Sequence, residues 1–407
     1  MRRAKAGAVA VIVTAGLIVG VGPSVSAKVL HHKAGRSSTA WSLVKGAGNL
    51  AGDGLSGVSC PDATDCEAVG TAANSSNGTN QTLVERMSGS VWSHSSSPDV
   101  GVESQLLAVS CLSPSDCMAV GDSGSGVETG NPPSPTMQPL AESWNGSTWS
   151  VSSVVNVDGP EVSKAQLDAI TCTPGVDSSP VECVAVGWTQ PTGGALIETW
   201  NGSTWSVAVG AGSEAGPQFD GQLASVSCSL PGQCMAVGSG DNKNLALQLS
   251  GGTWAATSAP DPGRSYDNFM QSVSCSTAGD CIADWWSSYL KSGNPKQEAI
   301  DWNGSAWSGT STLAKGGAPE VTSLTCVTST ACVAVGSRDA SPHGVGVQKT
   351  LVERGDGLRW KATSSSSTTN QSELVDVACA SAAFCVAVGD SGDFDSAGQP
   401  LIESGPA

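Results

Sequence analysis

Basic residues are scarce in this 407-residue chain: 19 Lys and Arg face 36 Asp and Glu, for a formal net charge of −17. Such a surface repels phosphate backbones and anionic headgroups, which argues against nucleic acid and acidic membranes as partners. Charged residues of both signs make up only 14 % of the chain, while Gly alone contributes 50 residues. That composition suits many short strands and turns better than long helices. Histidine occurs four times, and no GxSxG, HExxH or phosphate-loop motif is present. The chemistries that depend on those motifs therefore lack their residues, and no cofactor is expected. Long apolar runs are also missing, with one exception near the amino terminus.

That exception follows Arg2, Arg3 and Lys5, runs from about Ala6 to Gly22, and ends in Pro23 and Val25-Ser26-Ala27. The order is that of a secretory signal peptide, with residues 1–27 removed on export; an uncleaved membrane anchor is the competing reading, the run being close to the minimum for a span. Residues 28–39 read as a flexible tail and 40–407 as the folded domain. No other run could cross a bilayer, so the expected mature protein is extracellular, monomeric and without a membrane span.

What the chain has in abundance is repetition, and period decides the fold. The 14 cysteines form seven pairs: Cys60 and Cys66, Cys111 and Cys117, Cys172 and Cys183, Cys228 and Cys234, Cys275 and Cys281, Cys326 and Cys332, Cys379 and Cys385. Zinc prefers shorter spacings and four convergent ligands, so one disulfide per repeat is expected and no metal. Around each pair the chain reads as four strands. Leu107-Ala108-Val109-Ser110-Cys111 ends the first and Cys117-Met118-Ala119-Val120-Gly121 opens the second. Leu196 to Trp200 forms a third, and Asn201-Gly202 turns into a fourth holding Trp205. The Trp-Asn-Gly-x-x-Trp turn recurs at Trp144 and Trp302, and Asn-Gly is a strong hairpin signal.

Seven repeats of about 50 residues match the size of propeller blades. The expectation is an all-β, seven-bladed β-propeller. Its last blade ends at Glu403 without a tryptophan strand, while an orphan Ala40-Trp41-Ser42 precedes the first cysteine. An N-terminal strand completing the last blade would close the ring and hide exposed edges.

With S-C-x5-C-x-A-V-G followed by E-x-W-N-G-x-x-W, the chain resembles a group of secreted bacterial repeat proteins of the kelch and galactose-oxidase-like propeller type. That resemblance implies a propeller and no single activity. The kelch double glycine is missing, as is the sialidase Asp-box.

Most conspicuous residues have structural duties. Glu85, Glu142, Glu198, Glu353 and Glu403 recur at one repeat position, which spreads them around a ring and keeps them from pairing as a glycosidase requires. The tryptophans read as packing between blades. Asp390, Asp393 and Asp395 lack the full calcium-loop pattern. What departs from the repeat is in the fifth copy, where Ala-Val-Gly becomes Ala283-Asp284-Trp285-Trp286, with Tyr289 beyond. Asp284, Trp285, Trp286 and Tyr289 are the expected ligand-binding patch. The leading functional expectation is a non-catalytic binding or cell-envelope scaffold that presents a variable loop face to a polysaccharide or protein. The alternative is an extracellular carbohydrate hydrolase or lyase with its site at the mouth of a central channel.

Overall fold

The computed structural model describes residues 40–46, 52–74, 78–129, 134–152, 164–175, 181–191, 193–210, 219–241, 243–260, 268–287, 296–313, 319–341, 346–357, 359–366, 371–392 and 398–407. The leader region, Tyr289, Asp393 and Asp395 lie outside them. Among the described residues every regular element is a strand, 28 in all. No helix is long and apolar enough to cross a membrane.

The strands form antiparallel four-stranded sheets, one per repeat, and a single parallel bridge between Lys164 and Met137 joins those of repeats two and three. First strands are Gly54–Ser59, Glu103–Ser113, Lys164–Thr173, Gln222–Leu230, Asn268–Thr277, Pro319–Thr328 and Gln371–Ser381. Each lies against the first strand of the next repeat, and Gln371–Ser381 lies against Gly54–Ser59. The fold is thus propeller-like. Within a sheet the pairing follows chain order, except that the seventh takes its fourth strand, Ser42–Leu43, from the amino-terminal side: Ser42 faces Ser404 and Leu43 faces Glu403.

All seven cysteine pairs are disulfides and no described cysteine is free. The serine before the first cysteine of a repeat has a separate task. Ser59 Oγ accepts from the Cys111 N–H at 3.0 Å, Ser110 from Cys172 at 2.9 Å, Ser227 from Cys275 at 3.0 Å and Ser274 from Cys326 at 3.0 Å. The Ser-Cys dipeptide therefore stitches one repeat to the next, at about 1 kcal/mol per bond. The recurrent glutamates are buried. Glu142 accepts from Ser97 Oγ at 2.6 Å and Glu403 from Ser365 Oγ at 2.9 Å, each serine following the outer strand of the preceding repeat. Arg86 binds Glu67 at 3.1 Å, donates to the Pro114 carbonyl at 2.9 Å and covers the Trp144 ring at 5.0 Å, which fastens repeat one to repeat two.

The Trp-Asn-Gly turns differ from the tight turn expected of Asn-Gly. Trp144 pairs with Trp149, Trp200 with Trp205 and Trp302 with Trp307, which leaves a four-residue loop between strands. Only the glycine has positive φ, 91° at Gly146. The asparagine acts through its side chain instead: Asn145 Oδ1 accepts from the N–H groups of Ser147 and Thr148, both at 2.9 Å, an Asx turn.

Apolar side chains pack between sheets. Leu55, Ala68 and Leu83 of the first repeat pack with Val386, Val388 and Ile402 of the seventh. On the other side of the seventh repeat, Leu374 and Val377 meet Val333 and Val352 together with Trp41. Trp41 is 2 % exposed and its indole N–H donates to the Pro406 carbonyl at 3.2 Å. Trp41→Ala is expected to cost about 3–5 kcal/mol, the range for truncating a buried tryptophan. Urea unfolding measures it, and an unchanged midpoint would show that the amino-terminal strand adds nothing to the seventh sheet.

Candidate active site

Each first strand carries a β-bulge whose extra residue stands four positions before its first cysteine, marked by a register shift such as Leu167 to Ala169. The extra residue is Ser56, Leu107, Asp168, Ala224, Gln271, Thr322 or Val375. A bulge re-aims one side chain out of the pleat, and all seven of these residues line a channel of about 490 Å³ bounded by the seven first strands. In six repeats the glycine of the Ala-Val-Gly element stands beside the bulge and makes room for a backbone carbonyl, while repeat five keeps the bulge with Trp285 in that place. A Cβ at Gly187 would lie 1.9 Å from the Gln166 carbonyl oxygen, and one at Gly121 2.1 Å from that of Gln105.

Asp168 is the one charged residue among the seven at the bulge. Its Oδ1 accepts from Gln166 Nε2. Burial drives its carboxyl up to about 6; the Gln166 hydrogen bond pulls the other way, and the nearby Asp122 carboxylate adds to the rise. Asp122, on the neighbouring repeat, is 6 % exposed and accepts from Gln105 Nε2 at 2.6 Å. It too is raised, by burial and then by Glu103, with Gln105 opposing. Trp188 stands directly across the strand pair from Gln166, and Asp122 across from Gln105. Two carboxyls raised by burial, each accepting from a glutamine, thus sit on neighbouring repeats, and the half-buried Trp188 stands across from one of those glutamines.

The same end of the channel holds a second acidic group. Glu373 is paired with Asp390, and burial, then Glu320 and Asp390, push it up to about 7. The channel acid Asp376 has a different duty: Oδ2 accepts from the Val58 N–H at 2.9 Å and Oδ1 from Ser323 Oγ at 2.8 Å, joining repeats one, six and seven. By register this end lies away from the disulfides, since Cys379 pairs with Cys385 at the opposite end of the strand pair that holds Glu373 and Asp390.

The patch expected on repeat five is not an open surface. Asp284 is 0 % and Trp285 4 % exposed. Asp284 replaces a buried valine and Trp285 the bulge-facing glycine, so both side chains point into packed interior. Gln297 Nε2 donates to Asp284 Oδ2 at 3.2 Å and to the Val321 carbonyl at 2.6 Å. Trp286 is half-buried across from Phe269, at the position Trp188 holds in repeat three. No group of three or more metal-ligating side chains occurs among the described residues.

Buried acids give a pH prediction. Glu67, Glu142, Asp284 and Glu373 are each raised to about 7, by burial first. A carboxyl whose folded pKa exceeds its unfolded value near 4 holds its proton more tightly in the folded state. The stability it confers is complete below pH 4 and is lost as pH rises to about 7. Between pH 5 and pH 8 the melting temperature should fall by roughly 5 °C or more. A melting temperature that rises over this interval would contradict the burial of these acids.

No family model matches the chain, and no curated protein matches it. Solved structures of similar shape include a protein of unknown function from Dyadobacter fermentans, 7 % identical with TM-score 0.48, covering 90 % of this chain and 98 % of that one. Another is a GH74 xyloglucanase from Xanthomonas campestris, 13 % identical with TM-score 0.43, covering 84 % and 57 %. A third is a GH93 α-L-arabinofuranosidase of Fusarium graminearum in complex with arabinobiose, 11 % identical with TM-score 0.41, covering 73 % and 92 %. These likenesses concern the fold. Glycoside hydrolases stand among these similar structures, and the expectation of a non-catalytic scaffold is corrected: it gives way to the alternative.

Proposed function

We propose that the chain is a secreted, seven-bladed propeller closed by its amino-terminal strand, and that it hydrolyses a polysaccharide at the mouth of its channel. The observation that carries this reading is Asp168, an acid turned into the channel by a bulge and held near its proton by burial. Glycoside hydrolysis needs one carboxylic acid and one carboxylate within about 5–10 Å. Asp168 supplies the acid and protonates the leaving glycosidic oxygen. Asp122, on the neighbouring repeat, serves in its ionised form and takes a proton from the water that attacks the anomeric carbon. The C–O bond breaks as the water oxygen bonds to carbon, giving a free alcohol and a new reducing end. Gln166 and Gln105 fix the two carboxyls, and Trp188 and Trp286 offer faces on which sugar rings stack.

The seven disulfides agree with an extracellular setting. Six arginines beyond residue 27, in scattered contexts, do not form the carboxylate clamp of a sialidase, so a neutral glycan fits better. The test is release of reducing ends from a panel of neutral polysaccharides by the purified protein. Product is expected between pH 5 and 7, and its absence across the panel would overturn the reading.

A further inference from the structure

The channel wall of repeat five holds a polar network that the acid pair leaves unused. Gln271, the bulge residue of that repeat, lines the channel and is half-buried. Next to it stands Gln297, 3 % exposed, on the third strand of the sheet, Lys296–Trp302. Gln297 Oε1 accepts from the Val321 N–H at 2.6 Å and its Nε2 donates to the Val321 carbonyl at 2.6 Å, so repeat six fixes which end of this amide is oxygen and which is nitrogen. The second Nε2 hydrogen is shared between Asp284 Oδ2 at 3.2 Å and Gln271 Oε1 at 3.1 Å. Beside Gln271, Ser272 Oγ accepts from the Leu324 N–H at 2.9 Å and donates to the Leu324 carbonyl at 3.2 Å, a second tie to repeat six.

These bonds dictate what the channel meets. Gln297 can only donate toward Gln271, so Gln271 must offer it the oxygen, and the Gln271 nitrogen is left over with two N–H donors. That nitrogen makes no hydrogen bond among the described residues and is not buried, so both donors stand open. Gln271 is the one amide among the seven bulge residues. Its support departs from the repeat at two places. Asp284 stands where the other repeats have the valine of Ala-Val-Gly, and Gln297 where they have Thr82, Pro139, Ala195, Asn244, Thr350 and Pro400. Burying two polar groups in a packed sheet is costly, and the member of this network that reaches the channel is Gln271.

We propose that Gln271 is a glycan-binding residue of the channel, donating its two N–H groups to acceptor oxygens of a sugar unit, and that Gln297 is the residue that positions it. The proposal rests on the reading of the channel as a glycan site, in which Asp168 holds the same bulge position two repeats away. A donor fixed before the ligand arrives gives up little rotamer freedom on binding. It also selects, because a ligand without an acceptor at this point leaves both donors desolvated and unpaired.

The test uses the Asp168→Asn protein, which leaves a bound sugar uncleaved, and titrates it by calorimetry at about neutral pH with cellohexaose, xylohexaose, mannohexaose and arabinohexaose. Saturable binding of at least one hexaose is expected. Adding Gln271→Glu keeps an oxygen for Gln297 and replaces only the two donors, so affinity for that hexaose should fall about tenfold or more with the fold retained. Gln271→Met should lose as much. Gln297→Glu should weaken binding while Gln271 is present and add nothing in Gln271→Met, the coupling expected of a residue that acts through another. Undiminished affinity in either Gln271 variant would overturn the proposal and leave the channel reading standing, and additive losses would remove Gln297 from it. If none of the four hexaoses binds, the channel reading falls, and this proposal with it.

Discussion

Asp168→Asn is expected to lower kcat for polysaccharide cleavage by about 10²–10⁴-fold, the usual loss when a positioned general acid is removed. The amide has the shape of the carboxyl and can still bond Gln166, so folding is spared. Stability above pH 6 should even rise, since the variant removes a group that resists ionisation where it sits. The parent enzyme should lose activity as pH climbs through about 6, where Asp168 surrenders its proton. Glu373→Gln is the informative comparison. It lies at the same end of the channel with a pKa raised to about 7, but the bulge does not point it into the cavity, and the loss should stay within about tenfold. If Glu373→Gln silences the enzyme while Asp168→Asn retains most of its rate, the acid has been assigned to the wrong repeats.

Reduction should unfold the protein. Six of the seven disulfides span a sequence separation of 6 and one spans 11. Each small loop is worth about 2 kcal/mol in the entropy of the unfolded chain. Seven such bonds together rival the entire stability of an ordinary domain, about 5–15 kcal/mol. Treatment with a thiol reductant at 37 °C should therefore abolish the β-sheet circular dichroism and expose the chain to protease. Removing one bridge, with Cys379→Ala and Cys385→Ala, should lower stability by only about 2 kcal/mol. A fully reduced protein that stays folded would assign the stability instead to the packing between repeats.

The repeat was legible in the sequence because cysteine spacing and the Trp-Asn-Gly turn are local signals that recur. The structure bears out all seven disulfides and the four-stranded sheets, and it supplies reasons for residues that the motif only displayed. The serine before the first cysteine in four repeats binds the next repeat, and the glycine of Ala-Val-Gly makes room for a carbonyl. The site was misread for a definable cause. Asp284 and Trp285 break the repeat pattern and so drew attention, yet a substitution inside a packed sheet must be absorbed there, here by Gln297 and its bonds to Asp284 and Val321. Asp168 breaks the pattern as well, four positions before Cys172. In a plain strand its neighbour Leu167 would fix its direction by alternation. The bulge cancels that alternation, and a bulge is set by pairing with the next strand rather than by any neighbouring residue. Lining up the repeats on their cysteines would have exposed an acid in a column otherwise holding Ser56, Leu107, Ala224, Gln271, Thr322 and Val375.

That column has an evolutionary meaning as well. A residue at the bulge lines the channel and stands outside the ladder, and only some carry a bond of their own, as Thr322 does to the Leu374 carbonyl and Gln271 does from Gln297. The slots without such bonds can therefore be rewritten one at a time, each changing the chemistry of a shared cavity at little cost to folding. A chain built this way can keep its architecture fixed while the chemistry of its cavity is varied, and Asp168 is the one acid among the seven slots.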